Sequence, residues 1–272
     1  MMTIKDTNDV DYVEKFSLKN KVIIITGGCG LIGTAFSDAC AQHGAMVVIA
    51  DIPSSNPENN ASILEEKYDS PMLGVSFDVS NRNEVENLRR EVINKYGRID
   101  GLVNTHQNKT ARFFSKFEDY TDNDWDAVIE TNLKGTFLSC QVLGGWMAEN
   151  GGGVIVNMPS TYSVVAPNQN LYSGTNMGSP AAYSASKGGV QALSQYLASY
   201  WSENNVRVNQ ITPHGVWNNH EKSFENNFSK FSPMKRMSYN HEVAPALIYM
   251  LSDASSYVTG HNLMVDGGWT MW

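Results

Sequence analysis

Short runs of almost uniformly apolar residues alternate along the chain with longer segments in which apolar residues recur every three or four positions. The short runs are rich in Val and Ile, which is typical of buried strands. Helical spacing is clearest from Trp125 to about Met147 and in the helix that contains Tyr183, whereas residues 53–60 have the composition of a loop. We predict seven strands, at residues 21–26, 45–51, 72–78, 99–105, 153–158, 207–213 and 262–268.

Strands without a polar face are typical of a parallel sheet that helices cover on both sides. The sequence therefore predicts an α/β fold, a single doubly wound domain with a parallel sheet of about seven strands. We expect residues 1–18 to form a loosely held N-terminal arm and residues 19–272 to form the domain.

Charge and composition narrow the classes of function. The formal net charge of −8 provides no basic field for nucleic acid or an anionic membrane. No apolar run approaches the roughly 20 residues of a membrane span, and the N-terminus lacks a signal-peptide core. Cys29, Cys40 and Cys140 show no CxxC pairing, and no histidine has metal-site spacing, so we expect a reducing cytoplasm and no metal.

A glycine-rich turn joins the first strand to the first helix. Gly27, Gly30 and Gly33 in TGGCGLIG permit a tight turn, close approach of a pyrophosphate and close packing of helix on strand. The sequence therefore predicts a dinucleotide on this turn, with Leu31 and Ile32 at the start of the helix. A plain strand-to-helix turn is the alternative.

Two acidic residues follow the next strands. Asp51 ends the second strand, where an acid binds the adenosine ribose and repels the additional phosphate of NADP. No basic residue follows it, so we predict that NAD(H) is preferred over NADP(H). Asp78 and Val79 are placed to contact the adenine, although Asp78 beside Ser80 could simply cap a helix.

Tyr183 and Lys187 lie four residues apart on a predicted helix and therefore share a face. A free phenol has a pKa near 10, and a nearby ammonium favours the phenolate. The pair could exchange a proton with a substrate oxygen. Taken alone, the spacing could also be coincidence.

Together these motifs resemble the short-chain dehydrogenase/reductase family, a Rossmann-fold family, from about residue 16 to residue 272. The segments that carry the resemblance are TGGCGLIG, Asp51, Asp78, NLKGTF with Asn132, VNMPS with Ser160, Tyr183-Ser-Ala-Ser-Lys187, VNQITP and SSYVTGHNLMVDGG.

The resemblance implies roles for several residues. Ser160 would hydrogen-bond the reacting oxygen, and Lys187 would also hold the nicotinamide ribose. Asn132 would distort its helix and hold a water in a proton relay. Asn104 and Pro213 would lie beside the cofactor. Alternatives remain, since Thr161 or Ser163 could take the place of the serine and Asn132 could be a tolerated polar residue.

Three positions depart from the family pattern. Asn104-Thr105-His106-Gln107 replaces Asn-Asn-Ala-Gly, so His106 and Gln107 either turn toward the substrate or crowd the nicotinamide. We expect them to contact substrate. The spacing of Gly30 resembles the extended branch of the family, but the C-terminal part is too short for that branch's separate domain. Pro213-His214-Gly215 places His214 near the nicotinamide, unless it is a surface histidine.

Two insertions, near residues 161–182 and 214–236, are expected to shape the substrate pocket, with Thr161, His214 and Trp217 as further contacts. Their Asn, Ser and Tyr residues suit a polyol or sugar. The first insertion resembles family members of bacterial surface-sugar pathways, such as flagellin glycosylation and legionaminic-acid-type synthesis.

The sequence thus predicts an NAD(H)-dependent oxidoreductase that interconverts a secondary alcohol and a ketone on a carbohydrate-type substrate. A 3-oxoacyl-[acyl-carrier-protein] reductase and a non-catalytic NAD-sensing protein are the alternatives. The resemblance also implies a homotetramer or homodimer, formed through the helices that carry Asn132 and Tyr183.

Overall fold

A computed structural model of the chain describes residues 10–271, so residues 1–9, the first half of the predicted arm, lie outside the described part. The remainder of the arm includes a short 3-10 turn at Glu14–Phe16. Leu18 after it is buried, and its backbone N–H donates to the carbonyl of His43.

Seven strands form one sheet, as the apolar runs predict. They are Val22–Thr26 (β1), Met46–Asp51 (β2), Leu73–Ser76 (β3), Gly101–Asn104 (β4), Gly153–Asn157 (β5), Val206–Pro213 (β6) and Asn262–Val265 (β7). Every neighbouring pair is parallel, in the order β3-β2-β1-β4-β5-β6-β7. The predicted parallel α/β fold is confirmed.

Helices fill the connections between the strands. They are Leu31–Gln42 (α1), Pro57–Tyr68 (α2), Arg82–Tyr96 (α3), Asp122–Ile129 (α4), Gly135–Ser139 (α5), Gly145–Glu149 (α6), Ala181–Tyr200 (α7), Lys222–Phe231 (α8) and Asn240–Leu251 (α9). The predicted loop at 53–60 is therefore wrong beyond Asn56, where the Asn56 side chain caps α2 and Pro57 occupies its first position.

The long helix predicted around Asn132 is continuous but not regular. Turns with π-helical hydrogen bonding at Glu130–Lys134 and Cys140–Gly144 separate α4, α5 and α6. Such widened turns are rare and frequently occur at functional sites. Asn132 lies in the first of them and is fully buried.

Two apolar cores cover the two faces of the sheet. Val22 and Ile24 of β1 pack with residues of α3 and α7 on one face. Ile23 and Ile25 pack with α1 and α9 on the other. All five residues of β1 are buried, which explains why its sequence shows no alternation.

The strand order reverses direction between β1 and β4. In doubly wound folds a ligand binds at such a switch point, beyond the carboxyl ends of the strands. No helix within residues 10–271 has the length and apolar character needed to cross a membrane.

Candidate active site

A cleft of about 740 Å³ opens at the carboxyl ends of the strands. Of the predicted site residues, its wall includes Gly27, Gly30, Leu31, Ile32, Gly33, Asp51, Asp78, Val79, His106, Gln107, Ser160, Tyr183, Lys187, Pro213 and His214. Four predicted residues are not part of the wall: Asn104, Asn132, Thr161 and Trp217.

The glycine turn forms a surface that only glycine permits. Gly27 has a φ of +70°, and a Cβ there would lie 2.6 Å from the backbone nitrogen of His106. A Cβ on Gly33 would collide with the carbonyl oxygen of Gly27. With α1 starting at Leu31, its N-terminal N–H groups lie at this end of the cleft and suit a pyrophosphate.

Asp51 lies at the adjacent end of β2. Its carboxylate accepts hydrogen bonds from the backbone N–H groups of Cys29, at 2.9 Å, and Ile52, at 2.8 Å. These bonds hold the carboxylate in the cleft wall, where ribose hydroxyls could reach it. The arrangement fits a dinucleotide.

Asp78 lies in the cleft wall and does not cap α3, whose N-cap is Asn81. Its Oδ1 accepts hydrogen bonds from the N–H of Ser80, at 2.8 Å, and from the Ser80 hydroxyl, at 2.7 Å. The residue therefore stabilises the turn before α3, yet it also lines the cleft together with Val79.

Tyr183 and Lys187 lie one turn apart on α7, both in the cleft wall. Lys187 is only 5% exposed, and its Nζ donates to the carbonyl of Met158 at 2.7 Å. The same Nζ lies 5.7 Å from the centre of the Tyr183 ring. Ser160, three residues after the end of β5, lines the cleft beside them.

Burial dominates the protonation of this pair. It raises the pKa of Tyr183, while a hydrogen bond with Ser160 lowers it. Burial also lowers the pKa of Lys187 to about 8. Burial therefore opposes the activation that the Tyr183–Lys187 spacing suggests, and Ser160 is the group that favours the phenolate.

Asn132 connects two elements of the site. Its Oδ1 accepts a hydrogen bond from the backbone N–H of Asn108 at 2.8 Å. Its Nδ2 donates to the hydroxyl of Ser186 at 3.2 Å. Asn132 therefore ties the loop after β4 to α7, next to Lys187.

The departure from the family pattern after β4 is accommodated inside the fold. His106 is 8% exposed, with Nδ1 2.7 Å from the Thr26 hydroxyl and Nε2 3.3 Å from the Thr136 hydroxyl. Both ring nitrogens thus have protein partners, which favours a structural role over the expected substrate contact. Gln107 is exposed in the cleft wall, as that expectation requires.

Asn104 lies beneath the cleft rather than beside a ligand. Its Nδ2 donates to Oδ1 of Asn157 at 2.8 Å, and its Oδ1 accepts from the Thr26 hydroxyl at 3.1 Å. The side chain therefore joins the ends of three adjacent strands, in contrast to the expected cofactor contact.

Ser160, rather than its two competitors, faces the cleft. The Thr161 hydroxyl is fully buried and lies 2.7 Å from Nδ1 of His214. The Ser163 hydroxyl donates to the carbonyl of Ser160 at 2.5 Å. Thr161 therefore positions His214 and does not line the expected substrate pocket.

His214 is not a surface histidine. Its ring centre lies 4.4 Å from that of Trp269 and 5.1 Å from that of Phe228, and burial lowers its pKa to about 4. Trp217, by contrast, lies outside the cleft wall and donates from Nε1 to Oε1 of Glu225 at 2.6 Å. The expected substrate contact of Trp217 is not supported by this placement.

Several lining residues were not predicted from the sequence. Among them are several aromatic and basic side chains: Lys109, Phe113, Tyr162, Tyr172, His220 and Phe224. Tyr162 lies edge-on to Tyr183, with ring centres 6.4 Å apart, and its hydroxyl contacts that of Tyr172. The Tyr-rich composition of the first insertion was the available signal, but it did not indicate which rings face the cleft.

Within residues 10–271, no group of three or more His, Cys, Asp or Glu side chains could hold a metal ion.

Comparison with known proteins gives matches along almost the whole chain. The enoyl-(acyl carrier protein) reductase family model matches residues 30–270. An NAD-dependent glycerol dehydrogenase of Listeria innocua serovar 6a is 33% identical over 261 residues, covering 94% of this chain and 96% of the relative. A D-threitol dehydrogenase of Mycolicibacterium smegmatis is 34% identical over 278 residues, covering 99% of this chain and 100% of the relative.

Solved structures agree with the fold. The crystal structure of a gluconate 5-dehydrogenase from Burkholderia cenocepacia J2315, in complex with NADP and tartrate, matches with a TM-score of 0.86 and 26% identity. The match covers 96% of this chain and 100% of that one. The family model and both relatives match the chain that carries the glycine turn and the Tyr183–Lys187 pair. The protein therefore belongs to the short-chain dehydrogenase/reductase family.

Proposed function

We propose that this oxidoreductase interconverts a secondary alcohol and a ketone on a carbohydrate-type substrate, with NAD(H) as its cofactor. The observation that carries the proposal is the convergence of Ser160, Tyr183 and Lys187 on the cleft that also holds the glycine turn. A proton-transfer group and a dinucleotide surface in one cleft are what alcohol oxidation requires.

Each catalytic side chain has a distinct task. The Ser160 hydroxyl holds the reacting oxygen by a hydrogen bond, and the Tyr183 hydroxyl exchanges a proton with it. Lys187 places a positive charge beside the phenol and, as family resemblance implies, holds the ribose. Asn132 fixes the loop after β4 against α7. The nicotinamide, when bound, supplies the hydride chemistry.

Asp51 supports the preference for NAD(H). Its carboxylate is fixed at the end of β2 and would repel a phosphate on the ribose. The Listeria relative is described as NAD-dependent, whereas the Burkholderia structure contains NADP. The choice of cofactor therefore rests on Asp51 in this chain.

The substrate class rests on the cleft wall and on the relatives. Tyr162, Tyr172, Gln107 and Asn218 offer hydroxyl and amide groups beside aromatic rings, which suits a hydroxylated carbon chain. The relatives act on glycerol and D-threitol by their descriptions. The bacterial surface-sugar pathway, the cytoplasmic location and the absence of nucleic-acid or membrane partners stay predictions.

The test is turnover of a panel of polyols, sugars, sugar acids and sugar phosphates with NAD(H) and NADP(H), comparing wild type with Tyr183→Phe. We expect turnover of one carbohydrate class with NAD(H). We also expect kcat to fall by about 100- to 10,000-fold in the variant, because the proton-transfer group is lost. NADH binding, measured by fluorescence titration, should be unchanged.

Turnover that survives in Tyr183→Phe would contradict the proposed mechanism. Binding of NADH without turnover of any panel member would favour the NAD-sensing alternative instead.

A 3-oxoacyl-[acyl-carrier-protein] reductase is the second candidate, because the matching family model describes an acyl-carrier-protein enzyme and aromatic rings line the cleft. An acetoacetyl thioester in the same panel separates the two functions. Reduction of the thioester with NADPH in preference to every carbohydrate would replace the first proposal with this one.

A further inference from the structure

We propose that Lys109 and His220 form a subsite for an anionic substituent of the substrate, a carboxylate or a phosphate ester. The inference deepens the function proposed above and rests on it. The substrate would then be a sugar acid or a sugar phosphate rather than a neutral polyol.

The two side chains come from separate segments that meet at the cleft. Lys109 lies in the loop after β4, and His220 lies between β6 and α8. Both belong to the cleft wall. Burial lowers the pKa of His220, and the positive charge of Lys109 lowers it further.

A chain of aromatic side chains connects this pair with the reaction centre. The His220 ring stacks on Phe224 at 5.0 Å, and Phe224 lies 6.0 Å from Tyr172. Tyr172 contacts the hydroxyl of Tyr162, which is edge-on to Tyr183. A hydroxylated carbon chain could lie along these rings with one end at Tyr183 and the other at His220.

Lys109 has no carboxylate or hydrogen-bond acceptor of its own among the described residues. Lys21, Lys67, Lys134 and Lys222 each pair with an acidic side chain within 3.0 Å. Lys109 is exposed at the cleft, and desolvation still lowers its pKa. A bound anion would offset both the desolvation of Lys109 and its repulsion of His220.

The distribution of acidic residues supports the same conclusion. Although the chain has a net charge of −8, the described cleft wall contains only two carboxylates, Asp51 and Asp78, both in the predicted adenosine half. Glu225, whose charge raises the pKa of His220, is not in the wall. Its carboxylate accepts hydrogen bonds from Trp217 and Lys222. The substrate half therefore carries positive charge that no protein group neutralises.

The experiment compares three compounds with the same carbon chain: a polyol, its aldonate and its phosphate ester. We expect the wild type to prefer one of the anions by at least about tenfold in kcat/KM. Lys109→Met should lower kcat/KM for that anion by about 10- to 100-fold, mainly through KM, because a charged hydrogen bond contributes about 1.5–3 kcal/mol. In Lys109→Met, kcat/KM for the neutral polyol should change by less than about threefold. His220→Gln should also lower kcat/KM for the anion, by a smaller factor.

Lys116→Met is the matched control, since it removes the same charge from the same loop outside the cleft wall. It should leave the preference for the anion unchanged. Equal losses for the polyol and the anion in Lys109→Met, or a wild type without preference, would overturn the proposal. The aldonate and phosphate arms identify which anion the subsite takes.

Calorimetric titration of the three compounds into the NADH-bound protein separates this inference from the proposed function. Tighter binding of an anion by the wild type, lost in Lys109→Met, supports the subsite even if no compound is turned over. Equal binding of the polyol and both anions refutes it even if Tyr183→Phe abolishes turnover.

Discussion

The imidazole of His106 lies where β1, β4 and α5 meet. A neutral imidazole offers one donor and one acceptor, so it can bind both the Thr26 and Thr136 hydroxyls. Burial lowers its pKa to about 3, and the charge of Lys187 acts in the same direction. The interior therefore holds His106 in its neutral form at neutral pH.

This neutral histidine makes stability depend on pH. An unfolded histidine has a pKa of about 6.5, so between pH 6.5 and 3 the unfolded state binds more protons than the native state. The contribution to stability is complete above pH 6.5 and is lost as the pH falls. From about pH 7.5 to about pH 5 we expect the free energy of unfolding to fall by about 2 kcal/mol through His106.

Urea unfolding of wild type and His106→Asn at these two pH values measures the effect. The loss between them should be smaller in the variant, although His214, with a pKa of about 4, acts in the same direction and remains. The control is His261→Gln, which changes an exposed ring. An identical pH dependence in wild type and His106→Asn would rule out this account.

Among elements, β1, the glycine turn and α1 form the unit that is expected to bind the pyrophosphate. Gly33→Ala should push α1 away from the turn, because the added Cβ meets the carbonyl of Gly27. We expect NADH affinity to fall by at least about tenfold, or about 1.4 kcal/mol, in fluorescence titration.

Gly145→Ala makes the same substitution in a helix, where the added Cβ meets no atom within 4 Å. This control should keep the NADH affinity of the wild type. If Gly33→Ala also keeps it, the glycine turn does not bind the pyrophosphate.

Elements with a large buried face could be predicted from the sequence, and elements without one could not. All residues of β1 and β4 are buried, so their apolar runs are unambiguous. In α2 only Pro57 and Ala61 are buried, and most of its other residues are polar. In α8 only Phe224 and Phe228 are buried, and they stand among polar residues that also suit a loop.

The same distinction applies to the site. Tyr183, Lys187 and the glycines are fixed by spacing within single elements, which a sequence displays directly. Lys109 and His220 line the same cleft only because two separate loops converge on it. Their placement depends on the path of each loop, and no local pattern encodes it. The inward orientation of His106 depends likewise on Thr26 and Thr136, which are distant in sequence.

At the scale of the whole molecule, aromatic side chains remain exposed on the helices through which assembly is predicted. Tyr196 and Tyr200 on α7 are 61% and 63% exposed and stack on each other at 5.6 Å. Trp125 on α4 and Phe137 on α5 are also exposed. A subunit interface would bury this surface.

We therefore expect light scattering to give two or four times the 30.1 kDa mass of one chain. Replacing Tyr196 and Tyr200 together by Glu should shift the protein to a smaller species, because a charge would be buried in the interface. Tyr257→Glu, at a fully exposed tyrosine elsewhere, should not. A monomeric wild type at all concentrations would contradict the prediction.

The segment between β6 and α9 closes on itself at its base. The N–H of Trp217 donates to the carbonyl of Ser238 at 2.8 Å, and the N–H of Ser238 donates to the carbonyl of Gly215 at 2.9 Å. The ends are thus joined whatever lies between them, and doubling the length of a flexible loop costs only about 0.6 kcal/mol. In evolution the stretch between Gly215 and Ser238 can therefore change in length and sequence. New substrate preferences can then arise while the sheet and the proton-transfer residues stay the same.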